Sequence, residues 1–163
     1  NSKKYTTSSY VFPIIRLAEV YLDYAEADFE YNGKLSSQSL IYLNKIRARC
    51  GLPSFQDSWA KVGGIPTGDK LRQVLHDERS IELAMEGRRF HDIRRWKIAD
   101  KEMMRYQKAW NLAGKTAKEF YQLKDMKEGG TRVFEAPKNY WLAIPLDKIQ
   151  INPNLVQNPG YNK

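Results

Sequence analysis

The 163 residues hold one cysteine, two histidines and no uninterrupted apolar stretch of membrane-spanning length. With Cys50 alone no internal disulfide can form. Its place at the end of a helical series (Leu43, Ile46, Cys50) predicts a small buried core residue rather than a reactive thiol. His76 and His91 lie fifteen residues apart, without a neighbouring cysteine or a His-x-x-x-His spacing, so they make a poor metal site, and local hydrogen bonding is their expected role. No metal and no cofactor is expected. Gly63-Gly64 and Gly129-Gly130 are isolated pairs that read as turns, not as a phosphate-cradling loop, and neither a zinc spacing nor an aromatic RNA-binding signature is present. Without an apolar run of about 18 residues there is no transmembrane helix in the sequence. The chain opens on Asn1 without an apolar signal region, which fits either a cytosolic protein or a mature or trimmed piece of something larger. Arg47, Ala48 and Arg49, ahead of Cys50, are too polar for a lipid-attachment box, so any lipid anchor is expected outside this chain.

A hydrophobic share of 42% is ordinary for a globular protein, and the length suits a single domain over residues 1–163 with a real core. The net charge of +8 would suit a nucleic-acid partner, but its distribution does not. Residues 97–138 carry ten Lys or Arg against six Asp or Glu, interspersed along the segment, and no recognition motif accompanies them. No nucleic-acid partner is expected. Ten tyrosines and four tryptophans exceed what a simple helical scaffold requires, so some rings are expected to face a ligand.

Helical spacing dominates the first half. Pro13 suits a first helical position, and Ile14, Leu17, Ala18, Tyr21, Leu22, Ala25 and Phe29 recur on one stripe until Asn32-Gly33 stops it. Ser36 or Ser37 is placed to cap a second helix that carries Leu40, Leu43, Ile46 and Cys50 inward, closed by Gly51 and Pro53. The short connection makes the pair an antiparallel hairpin. Residues 51–68 read as loop, with Phe55 and Trp59 as its large rings. Thr67 or Asp69 caps a third helix that runs to Met85 or Glu86, and Ala99 to Leu112 reads as a further helix. Glu119 to Leu123 and Thr131 to Glu135 read as short strands, with Trp141 to Ile144 a pairing candidate. The proline- and asparagine-rich end reads as ordered coil and turns. The expected fold is mainly α, with long ordered loops and little β-structure.

The segment His76 to Trp96 concentrates five acidic and five basic residues, every base an arginine. On a period of 3.6 residues, Leu71, Val74, Leu75, Ile81 and Met85 share a face with Glu78 and Glu82. Carboxylates are not left unpaired in an apolar interior, because desolvation costs several kcal/mol. Arginine supplies planar, two-pronged partners, so Arg47, Arg79, Arg88, Arg89, Arg94 and Arg95 are expected to form a structural salt-bridge cluster with Glu78, Glu82 and Glu86. A catalytic acid–base pair is disfavoured, because strong pairing lowers carboxylate pKa values and catalysis needs one of them raised. Glu82→Gln is expected to cost roughly 3 kcal/mol if it strands a buried arginine.

Four stretches in order carry a resemblance. They are Arg16, Glu19 and Ala25-Glu26-Ala27; Asn44, Arg47, Arg49 and Gly51; Glu78-Arg79, Glu86-Gly87 and Arg94-Arg95-Trp96; and Ile144-Pro145, Asn152-Pro153-Asn154 and Gln157-Asn158-Pro159-Gly160-Tyr161. Together they resemble the C-terminal part of the SusD/RagB family of outer-membrane nutrient-binding lipoproteins. The resemblance implies tetratricopeptide-like helical hairpins, to which Leu17, Ala18 and Tyr21 also conform. It implies a non-catalytic protein at the outer-membrane surface that captures an oligosaccharide or other nutrient for a SusC-like TonB-dependent transporter. Family ligand residues vary, so none is carried over. From the residues themselves, rings beside polar side chains suit sugar faces and hydroxyls, and Trp59, Tyr106 and Trp110 are the candidates. The alternative is a helical-hairpin protein-interaction module without sugar affinity.

Overall fold

A computed structural model describes residues 13–161. They group into two compact units, Asn1–Arg88 and Arg89–Lys163, within the span that length alone suggests is one domain. The fold is mainly α, built of tetratricopeptide-like helical hairpins with long ordered loops and one two-stranded sheet.

In the first unit, α1 (Leu17–Asn32) and α2 (Ser37–Arg49) form the antiparallel hairpin, followed by α3 (Phe55–Ala60) and α4 (Gly68–Glu82). Gly33 adopts φ 70° and its N–H caps the Phe29 carbonyl, a left-handed stop that glycine takes without a Cβ penalty. The Ser36 hydroxyl accepts from the Ser39 N–H at 3.3 Å and starts α2. Tyr21 stacks on Tyr42 with ring centres 4.4 Å apart. Leu22, Ala25 and Phe29 of α1, Leu43 and Ile46 of α2, Phe55 of α3, Leu71 and Leu75 of α4, and Leu83 make the core. Each large apolar side chain buried there contributes about 1.5 to 3 kcal/mol.

The first unit departs from the sequence pattern at several positions. Pro13 is not the first helical residue. Arg16 is extended and serves as N-cap, so Ile14 lies outside the helix and is exposed, as is Leu17. Cys50 is exposed, not buried: it is the C-cap of α2, where the chain leaves the helix. The segment 51–68 is not all loop, because the Ser54 hydroxyl caps the Asp57 N–H at 3.0 Å and opens α3. Ile81 and Met85 are exposed rather than inward, since α4 ends at Glu82 and Met85 turns left-handed at φ 68°, while Leu83 takes the core place.

The second unit contains α5 (Arg89–Arg95), α6 (Ala99–Met103), β1 (Gln107–Trp110), α7 (Ala117–Phe120), β2 (Leu123–Met126), a 3-10 turn (Lys138–Tyr140) and α8 (Leu146–Ile151). Its core is small: Ile93, Ala99 and Phe134, with Ile98, Met103 and Tyr140 packed on it. The expected helix from Ala99 to Leu112 stops at Met103, and Gln107–Trp110 instead pairs antiparallel with Leu123–Met126, Gln107 opposite Met126. A separation of four residues, as between Tyr106 and Trp110, fits one face of a helix and one face of a strand equally well. Backbone partners decided between them.

Residues 117–120, partly read as strand, are helical because Thr116 and Glu119 form a capping box. Thr131 to Glu135 and Trp141 to Ile144 carry no strand. The end is not free of helix, since α8 follows Pro145. The amide of Gln157 donates to the Ile144 carbonyl at 2.9 Å and accepts from the Ile144 N–H at 2.8 Å. Asn158 donates to the Leu142 carbonyl at 2.6 Å and the Tyr161 hydroxyl to the Trp141 carbonyl at 3.1 Å. These side chains replace the ladder bonds that segment 141–144 lacks.

Candidate functional site

Glu78 and Glu82 of α4 are held by arginines from other elements. Arg16 donates to Glu82 at 2.5 Å and to Glu86 at 2.7 Å, and Arg49 reaches Glu82 at 2.8 Å. Arg47 pairs with Glu78, donates to the Ser58 hydroxyl at 2.7 Å and to the Pro53 carbonyl at 2.9 Å, and so ties α2, α3 and α4 together. Arg79 pairs with Asp23 at 2.6 Å, and Arg88 with Glu19 at 2.9 Å. Arg16 and Arg49 were absent from the expected cluster, although both belong to the family-like stretches. Arg89, Arg94 and Arg95 lie in the second unit, where Arg89 pairs with Glu102 at 3.0 Å and Arg95 with Asp92 at 2.9 Å.

Burial pushes the Glu78 carboxyl upward, against the opposing pull of Arg47. Hydrogen bonding from Arg16 lowers that of Glu86. No group of three or more His, Cys, Asp or Glu among the described residues could hold a metal ion. His76 is buried on α4, and His91 is exposed with its ring edge-on to Phe90.

Of the three candidate rings, Trp59 belongs to the first unit and Tyr106 and Trp110 to the second. Trp59 packs on the core of the first unit, 6.3 Å from the Phe55 ring centre. Trp110 ends β1, is 48% exposed and sits with Phe120 and Tyr121 in an aromatic group. Tyr106 is exposed just ahead of the same strand.

The second unit also contains a cavity of about 780 Å³ lined by His91, Arg94, Arg95, Lys97, Tyr140 and Trp141, with Ala136 and Pro137 in its wall. That volume is within the range of small-ligand sites. Trp141 is 56% exposed. Tyr140 donates its hydroxyl to Asp100 at 2.8 Å, a bond that draws the Asp100 carboxyl below its ordinary range. A second hollow, about 690 Å³, is lined mainly by apolar residues between Ala143 and Tyr161. The sequence signal for the first cavity is the run Arg94-Arg95-Trp96-Lys97, of which Arg94 and Arg95 are expected in the salt-bridge cluster and Arg94-Arg95-Trp96 forms a family-like stretch. Its partner Trp141 was read only as strand.

The SusD family model matches residues 1–161. SusD-like protein P2 of Formosa agariphila is 30% identical over 99% of this chain, which spans 28% of that protein. SusD-like protein P25 of the same organism is 31% identical over 91% of the chain and 24% of its own length. A solved SusD-like carbohydrate binding protein from Bacteroides fragilis superposes with a TM-score of 0.64 at 32% identity, over 88% of this chain and 28% of that one. The chain thus spans about a quarter of the length of these relatives. With the match running through all four stretches, and with those stretches supplying the ion pairs and amide clamps of both units, the chain belongs to the SusD family.

Proposed function

We propose that this chain is part of a protein that binds a glycan or other nutrient without transforming it, at the outer-membrane surface, and passes it to a SusC-like TonB-dependent transporter. The observation that carries this reading is the family match over residues 1–161, joined to a likeness to a SusD-like carbohydrate binding protein. Local chemistry is compatible with capture. Glu78 and Glu82 of α4 are each paired with arginine, with burial the main cause that raises the Glu78 carboxyl, and this pairing suits a structural role. Exposed rings of the second unit, Tyr106 and Trp110, suit contact with sugar faces, whereas Trp59 lends its ring mainly to the core.

Calorimetric titration of the full-length protein against a glycan panel, with co-purification from membranes, tests the reading. Saturable glycan binding and recovery of a TonB-dependent transporter are expected. A protein that binds no glycan and brings down no transporter would overturn it.

A further inference from the structure

We infer that the cavity between α5 and the 3-10 turn of the second unit is a binding site for an anionic sugar, one that carries a carboxylate or a sulfate. The inference rests on the glycan-binding reading above and names the chemical class that this cavity would take.

Charge comes first. Arg94, Arg95 and Lys97 line the cavity with His91, and no carboxylate among the described residues lines it. Arg95 is neutralised by Asp92 at 2.9 Å. Arg94 is not: its guanidinium donates to the Phe90 carbonyl at 3.0 Å and lies over the Phe90 ring at 3.6 Å, and it has no carboxylate partner among the described residues. Lys97 likewise has no ion-pair partner among the described residues. Two uncompensated cations facing one hollow raise the local affinity for an anion. An arginine held by a ring keeps its planar fork available for a carboxylate or sulfate oxygen pair.

Backbone conformation adds an independent observation. Lys97, two residues past the end of α5, takes φ 54°, the left-handed conformation that glycine ordinarily takes after a helix. A lysine there is strained, and strained non-glycine residues concentrate at functional sites. The shape of the hollow supplies the rest. Tyr140 and Trp141 line the same cavity, so the apolar C–H face of a pyranose has rings to pack on while its acidic group meets Arg94 and Lys97.

The test uses the full-length protein and three oligosaccharides of equal length: an oligogalacturonate as the carboxylate probe, a carrageenan oligosaccharide as the sulfate probe, and a malto-oligosaccharide as the neutral one. Binding is read by calorimetry at low and high sodium chloride. At least one anionic probe is expected to bind about tenfold more tightly than the neutral one, with affinity falling as salt rises. Comparison of the two anionic probes distinguishes carboxylate from sulfate. Lys97→Gly is expected to melt no lower than wild type, because it relieves the left-handed strain, yet to lose several-fold in affinity for the anionic probe. Arg94→Gln is expected to lose more, and Trp141→Ala to weaken binding without removing its salt dependence. Tight neutral binding that the three variants leave unchanged would overturn the anionic site and leave the glycan-binding reading standing. Failure to bind any of the three, or any other glycan, would overturn both.

Discussion

The Arg16 guanidinium meets the Glu82 carboxylate at 2.5 Å across 66 residues of sequence, joining the start of α1 to the end of α4. The Glu82 side chain is 8% exposed, and Arg49, itself 61% exposed, completes its pairing. Arg16 keeps Glu86 as a second partner, so Glu82→Gln leaves no guanidinium stranded and is expected to cost about 2 kcal/mol. Arg16→Gln deprives two carboxylates at once and is expected to cost more, about 3 kcal/mol. Urea unfolding of the two variants checks the order. Equal losses would mean that the two partners of Arg16 do not act together.

Asp28 links the hairpin. Its carboxylate accepts from the Ser36 N–H at 2.8 Å, from the Ser39 hydroxyl and from Asn32 at 2.8 Å. Burial favours the neutral carboxyl, but these hydrogen bonds outweigh it and hold the pKa at about 2, below the ordinary 3.8. A carboxylate with a depressed folded-state pKa stabilises fully above its unfolded value and loses that contribution as pH falls through the folded one. The difference in melting temperature between wild type and Asp28→Ala is therefore expected to be full above about pH 4. It should shrink as the pH falls from 3.8 toward about 2. A difference that stays constant across this window would remove Asp28 as its source.

Trp59 and Trp110 are expected to respond differently to truncation. Trp59 packs on the first core, so Trp59→Ala should destabilise by about 2 to 3 kcal/mol. Trp110 is exposed at the end of a short hairpin, and Trp110→Ala should cost about 1 kcal/mol or less. Chemical denaturation followed by circular dichroism separates them. A reversed order would mean that Trp110 packs more firmly in its unit than Trp59 does in its own.

Gly160 takes φ 85°, and a Cβ there would come within 2.7 Å of the Lys138 Cβ. Gly160→Ala therefore combines a left-handed backbone with a steric overlap and is expected to cost about 2 kcal/mol. It should also loosen the Gln157 clamp on Ile144, visible as faster amide exchange at Ile144. Unchanged exchange there would show that the turn at Gly160 and the clamp are independent.

Much of the first half was legible because its signals are local. Ser36 caps α2, Gly33 ends α1, and the apolar stripe of α1 lies on a 3.6-residue period. The capping signals at Ser54 and Thr116 were equally local but stood in segments poor in apolar periodicity, and α3 and α7 were missed. The ring candidates shared a chemistry, not a place: one sits in a core, two beside a hairpin.

By itself the sequence determined the helical hairpin and the requirement that Glu78 and Glu82 find arginine partners, because helical period, caps and the cost of an unpaired buried charge act within a few residues. Only the tertiary structure decided which arginines those were, because Arg16 and Arg49 reach Glu82 from 66 and 33 residues away. It likewise decided that Gln107–Trp110 is a strand, since backbone donors choose between helix and sheet according to the partners that packing brings. The meeting of Arg94 and Lys97 with Tyr140 and Trp141 around one cavity was another such outcome. No local rule joins residues more than forty positions apart, and folding places them together through the packing of the segments between.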